Sequence, residues 1–332
     1  MSKVRLGMIG VGGMARYHLR RLTTHEDVEI VALCDISDES LATSIEKFPM
    51  LAGLPQYKDY KEMIAAEKLD AVHIDTPHTL HFEMVMHSLD SGLHVFDEKP
   101  MVCNVADAHT VLKKVEETGK VFVLGYQRHY QAEFLYIKQK IASGDLGDVQ
   151  FVQGLQGQEW KRAVANTWRQ ELKWSGGGQL NDSGSHLLAV LLFATGLSVT
   201  QVGAFIDNMG VEVDINSALN LKFDNGAQGN VSVVGNAPAW YEDITIWCEK
   251  GAFYMRNGKL EEQDETGKRT PLTADDLPKG STPDDNFINA IMGREPVGSP
   301  PVWGLRVIEL TEAAWASAAK GGVPVAVERT AV

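Results

Sequence analysis

Asp182 and His186 stand four residues apart where the glycine triplet Gly176 to Gly178 leads into an apolar run, so on a helix both side chains would face the same way. A carboxylate beside an imidazole suits proton transfer. Imidazole has a pKa near ~6.5, which matches removal of a hydroxyl proton at neutral pH, and the carboxylate can orient the ring or bind a hydroxyl. The plainer alternative for His186 is a packing residue. Lys99 lies between Glu98 and Pro100, directly after the strand-like run Leu93 to Phe96. At the carboxyl edge of a parallel sheet a lysine can hydrogen-bond a reacting oxygen, stabilise alkoxide character and lower the pKa of a neighbouring acid. By position alone it could equally be a solvated lysine before a turn proline. Gly10, Gly12, Gly13 and Ala15 form a G-x-G-x-x-A turn. Gly10 permits the tight turn, Gly12 lets backbone approach a pyrophosphate, and Ala15 allows close packing of helix on strand. Asp35 follows about twenty residues later, where a carboxylate can accept hydrogen bonds from ribose hydroxyls.

The elements that must carry these residues alternate through the first third of the chain. Val4 to Ile9 reads as a strand and Met14 to Leu22 as a helix; Val28 to Cys34 is a second strand, and Ser37 offers an N-cap for a helix to about Phe48. Strand-like Ala71 to Ile74, helical Leu80 to Ser91, strand-like Leu93 to Phe96, helical Val105 to Thr118 and strand-like Val121 to Leu124 continue the pattern. Strands interleaved with such helices imply a doubly wound parallel sheet, an α/β Rossmann domain over residues 1–124. Residues 125–332 change texture. One helix near Phe134 to Ser143 leads into long strand-patterned stretches, with an apolar helix near Ser185 to Thr195 and helical spacing again at Asn286 to Met292 and Leu305 to Ala319. A second, α+β domain with a large open and mostly antiparallel sheet is expected, with Lys259 to Pro283 as a hairpin and mobile loop. The glycine triplet before Asp182 is expected to be flexible.

Composition excludes several classes. The 332 residues carry 31 Lys and Arg against 44 Asp and Glu, a net charge of −13, which would repel nucleic acid or an anionic membrane surface. The longest apolar stretch, beginning at Leu187, is far shorter than the ~18 residues a transmembrane helix needs. The N-terminus shows no secretory pattern, so a cytoplasmic location is expected. Three isolated cysteines suggest neither disulfides nor a thiolate zinc site. His78 and His81 are spaced like metal ligands but lack a third, so no metal is expected.

In order along the chain, Gly10 to Ala15, Asp35, Thr76-Pro77-His78-Thr79-Leu80-His81, Glu98-Lys99-Pro100, Gly125-Tyr126-Gln127-Arg128 and Gly176 to His186 resemble the Gfo/Idh/MocA oxidoreductases, the glucose-fructose oxidoreductase and inositol dehydrogenase family. The resemblance implies hydride exchange between a nicotinamide cofactor and a hydroxyl or ketone of a sugar or cyclitol. It implies Lys99, Asp182 and His186 as catalytic residues. Expected cofactor contacts are Gly10, Gly12, Gly13, Met14, Asp35, Thr76, Pro77, His81, Glu98 and Lys99, although His78 stands where the family more often has Asn. The substrate is expected at Lys99, Arg128, Trp160, Trp168, Asp182 and His186. Trp160, Trp168 and Trp174, interspersed with basic residues, offer the aromatic faces a pyranose requires, the alternative being core tryptophans with surface charges. NAD is expected over NADP because Asp35 is followed by Ile36, Ser37, Asp38 and Glu39, with no arginine or lysine nearby to neutralise a 2′-phosphate. The apolar alternation from Ile215 to Val234, together with the family resemblance, implies a homo-oligomer, a dimer or tetramer. Two other readings share these residues: a glycoside hydrolase with recycled NAD, and a non-catalytic ligand sensor.

Overall fold

In the computed structural model, which describes residues 3–329, contacts group the chain into two units. The first begins with β1 (Val4–Ile9), α1 (Gly13–Leu22), β2 (Val28–Cys34), α2 (Asp38–Lys47), β3 (Gln56–Tyr57), α3 (Tyr60–Ala66), β4 (Ala71–Ile74), α4 (His81–Asp90), β5 (His94–Asp97), α5 (Val105–Thr118) and β6 (Phe122–Leu124). All its strands are parallel, in the order β3-β2-β1-β4-β5-β6. The central strands β1, β4, β5 and β6 are almost entirely buried, because helices cover both faces of such a sheet. Order reverses beside β1, so the loops after β1 and β4 meet at the switch point where open α/β sheets bind ligands. Ser37 caps α2 as expected, its hydroxyl accepting from Ser40 N at 3.1 Å.

Beyond β6 come α6 (Ala132–Ser143), β7 (Val149–Gly157), the single turns α7 (Trp160–Ala163) and α8 (Leu172–Ser175), α9 (Gly184–Thr195), β8 (Val199–Asp207), β9 (Asn216–Phe223), β10 (Gln228–Val234), β11 (Tyr241–Cys248), β12 (Gly251–Arg256), β13 (Lys259–Gln263), β14 (Arg269–Pro271), α10 (Pro283–Ile291), α11 (Val302–Ala319) and β15 (Val325–Ala326). Nine strands form one sheet in the order β14-β13-β12-β11-β7-β10-β9-β8-β15, antiparallel except for the pair β7 and β10. Helices α9 and α11 pack on β7 and β8. The side chains of Leu187 and Leu191 press on Gly154, where a Cβ would meet them at 2.9–3.2 Å.

The division between units differs from the single break at residue 124. The first unit runs through Val102, resumes at Ala106–Tyr126 and takes back Thr282–Pro301. Phe287 and Ile288 of α10 are fully buried in the Rossmann core with Leu6, Phe96 and Val123. The apolar face of α10 explains the return, because burying it on the first unit completes a core that β5 and β6 leave open.

Candidate active site

In the first unit Gly10 has φ +82°, and a Cβ there would stand 2.6 Å from the Asp75 carbonyl oxygen, so the turn after β1 lies directly against the turn after β4. A Cβ on Gly12 or Gly13 would meet nothing within 4 Å. The N-terminus of α1 has no side-chain cap, Ala15 is fully buried, and Met14 is half-exposed. Open space above two glycines at an uncapped helix start fits a pyrophosphate. Asp35 directly follows β2, and its carboxylate accepts from Val11 N at 2.9 Å and Ser37 N at 2.8 Å. Each oxygen keeps a further lone pair that could meet a ribose hydroxyl. These residues fit a dinucleotide. The expectation that no cation lies near Asp35 is corrected: Lys58, distant in sequence, reaches the Asp35 and Ile36 carbonyls at 3.2 and 3.3 Å and pairs with Asp38 at 2.5 Å.

Thr76 and Pro77 form the turn after β4, with the Thr76 hydroxyl 3.3 Å from Met84 Sδ. His78 is buried. His81, expected to contact the cofactor, is fully buried and ties two turns together instead: its ring nitrogens lie 2.9 Å from the carbonyls of Pro100 and Thr76. Burial pushes its pKa down. Glu98 and Lys99 directly follow β5 and are nearly buried. Glu98 N pairs with Ile74 O at 3.0 Å, and its carboxylate Oε2 accepts the Lys99 main-chain N–H at 3.0 Å. Burial, with Glu98 and Asp75 close by, pushes Asp97 well above the usual carboxyl range.

The second unit holds Asp182 and His186. Asp182 precedes α9 and is buried; its Oδ2 accepts from Trp160 Nε1 at 2.9 Å and from Arg169 Nε at 3.1 Å. His186 lies in the first turn of α9 and is half-buried. Within the glycine triplet, expected to be flexible, two members are closely packed: a Cβ on Gly177 would meet the Trp315 ring at 2.7 Å, and one on Gly178 would stand 2.0 Å from the Asp214 carbonyl oxygen. Asp214 fixes this loop, accepting from Gly178 N at 2.9 Å, Leu180 N at 2.7 Å and Trp315 Nε1 at 3.1 Å.

Of the residues expected to meet substrate, Trp160 is buried against Val213 and Ile215, so only its indole N–H, through Asp182, bears on the site. Trp168 is half-buried under the Arg169 guanidinium at 4.3 Å, and Trp174 is exposed. Arg128 forms an ion pair with the buried Glu242. The sequence reading overlooked Asp214, Glu242 and Lys58. It also missed a buried cluster of His18, His73, Asp75 and Asp284 in the first unit. The signal was present: His18 sits on the apolar face of α1 and His73 inside an otherwise aliphatic strand.

A family model described as an oxidoreductase family with an NAD-binding Rossmann fold matches residues 4–126, and a model of the GFO/IDH/MocA C-terminal domain matches residues 134–254. The chain is 26% identical over 306 residues to the 4-carboxy-2-hydroxymuconate-6-semialdehyde dehydrogenase of a Sphingobium species, covering 89% of this chain and 93% of that one. It is 25% identical over 279 residues to the myo-inositol 2-dehydrogenase of Thermotoga maritima, covering 80% and 81%. The fold matches the crystal structure of the WlbA dehydrogenase from Bordetella pertussis in complex with NADH and UDP-GlcNAcA with a TM-score of 0.85, at 24% identity over 99% of each chain.

Proposed function

The chain belongs to the Gfo/Idh/MocA oxidoreductases, and from that footing we propose that it oxidises a carbinol of a sugar or cyclitol, or reduces the corresponding ketone, with NAD. The observation that carries the reading is the side-chain-free space over Gly12 and Gly13 at the uncapped start of α1, in the same unit whose strand β5 is followed by Glu98 and Lys99. Bound NAD supplies the hydride acceptor. Gly10, Gly12, Gly13 and Met14 would border the pyrophosphate, Asp35 the adenosine ribose, and Thr76 and Pro77 the nicotinamide end. His81 and Glu98 would hold the turns from behind. Lys99 donates a hydrogen bond to the reacting oxygen and favours its alkoxide character. His186 takes the hydroxyl proton as the carbinol carbon gives up hydride, and Asp182, held by Trp160 and Arg169, orients that imidazole or a substrate hydroxyl. Trp168 offers a ring face to the substrate, and Arg128 shapes the second unit through Glu242.

Curated relatives named as dehydrogenases of inositols support a polyol substrate, and nothing favours the hydrolytic alternative. NAD over NADP is supported by Asp35, by the exposed Ile36 beside it, and by the engagement of Lys58 with Asp38. A homo-oligomer is supported by the sheet face opposite α9, where Leu155, Ser232, Ala218 and Phe205 stand in one cross-strand row and Phe205 is 66% exposed. A monomeric mass by light scattering would refute it. The functional reading is tested by incubating the protein and NAD with a panel of inositols, hexoses and glucosides. Reduced nicotinamide should accumulate with at least one of them; turnover of a glucoside without net reduction of NAD would favour the hydrolase instead.

A further inference from the structure

Glu98 is gripped at both carboxylate oxygens. Oε2 accepts the Lys99 main-chain N–H at 3.0 Å, and Oε1 lies 3.0 Å from His18 Nε2. The other nitrogen of His18 faces Asp284, at 2.9 and 3.1 Å from its two oxygens. Asp284 lies in turn 3.4 Å from His73 Nε2, and His73 Nδ1 is 2.7 Å from Asp75. The side chains are almost wholly buried, and Gly125 makes room for the chain, since a Cβ there would stand 2.7 Å from Glu98 Oε1. With a carboxylate at each ring nitrogen, only an imidazolium can donate in both directions. Asp284 arrives from 266 residues along the sequence. Thr282 caps its helix, and Arg21 pairs with the adjacent Asp285.

We propose that His18 and Asp284 are positioning residues that act through Glu98 to hold the Lys99 main chain in the place its ammonium needs. The proposal rests on the role given to Lys99 above. Without the imidazolium, the carboxylates of Asp284 and Glu98 face each other without a proton to share, and Glu98 loses the contact that aims it at the Lys99 amide. The same donor set, two imidazoles each backed by a carboxylate and converging on a third, could instead hold a divalent cation. Metal content is therefore part of the test.

The experiment compares wild type, His18→Gln and Asp284→Asn, each also combined with Lys99→Met, and reads kcat, NAD affinity, Lys99 amide hydrogen exchange and bound metal. His18→Gln should lower kcat by about 10–10² and leave the NAD dissociation constant unchanged. It should also speed exchange of the Lys99 amide by about tenfold or more. In the Lys99→Met background it should cost nothing further, because it acts through the group already removed. If His18→Gln does not fold, Asp284→Asn carries the same expectations from the other side of the ring. Equal losses in both backgrounds, an unchanged Lys99 amide in a folded variant, or one divalent metal per chain that His18→Gln abolishes would each overturn the proposal. Full activity of Lys99→Met alone would instead overturn the role given to Lys99 and the clamp with it, and that single variant tells the two failures apart.

Discussion

His186 is assigned the proton because imidazole is matched to neutral pH, and that assignment has a quantitative consequence. His186→Ala should lower kcat by about 10²–10⁴ while leaving NAD affinity intact, since the dinucleotide-binding turns belong to the other unit. Isothermal titration of NAD beside steady-state kinetics separates the two quantities, and near-normal turnover in the variant would remove His186 from the mechanism. The buried histidines predict a different, thermodynamic effect. Burial is the largest influence on His18 and opposes its charge, but the hydrogen bonds to Asp284 and Glu98 and the nearby acids outweigh it and raise its pKa well above 6.5. His73 is also raised, burial again being overcome by Asp75 and Asp284, while the two imidazoles hold Asp284 below the usual carboxylate range although burial works the other way. A raised folded-state pKa stabilises fully below the unfolded value and loses that contribution as pH rises through the folded one. The melting temperature should therefore fall as pH climbs above about 6.5, and His18→Gln should flatten that slope; a wild type that holds or gains stability over the same range would contradict it. Lys99, Asp182 and His186 can be proposed from the sequence because each belongs to a local motif. The pairing of His18 with Asp284 cannot, because nothing local connects residues so far apart.

Most elements were legible wherever one face is apolar, as in β9, which alternates buried and exposed residues along its length. Strand β12 was not read: Ala252, Phe253, Tyr254 and Met255 are all buried, so alternation disappears, and only residues 249–250 separate it from β11. Glycine permits flexibility, so the sequence predicts a flexible triplet, and spacing cannot reveal that Trp315 and Asp214 pack against Gly177 and Gly178. That packing makes a sharp expectation for the loop that leads to Asp182. Gly178→Ala would press a methyl group onto the Asp214 main chain, where nothing flexible can give way. It should cost about 1–3 kcal/mol of stability and lower kcat as well, because the loop carries Asp182. Thermal melting and kinetics check both, and an alanine variant with wild-type melting would show that the loop has room to move.

The parallel α/β alternation and the strand-rich second part were plain from periodicity, but the return of residues 282–301 to the first unit was invisible, since a helix's pattern does not say which core it joins. Long-range folding also brought Lys58 beside Asp35, which weakens any argument from local charge alone. With Lys58 already paired to Asp38, NAD should still be preferred. Replacing Asp35 by Ser and Ile36 by Arg should move kcat/KM toward NADP, and a wild type that favours NADP would mean that Asp35 does not meet the ribose. Hydride passing between a substrate carbinol and NAD is the central step of the proposed reaction. The most direct measurement uses a substrate from the active panel carrying deuterium on the reacting carbon, with mass spectrometry of the cofactor after turnover. Deuterium in the reduced nicotinamide, formed in step with the oxidised product and suppressed in His186→Ala, is the expected result; product formed with no deuterium in the cofactor would contradict it.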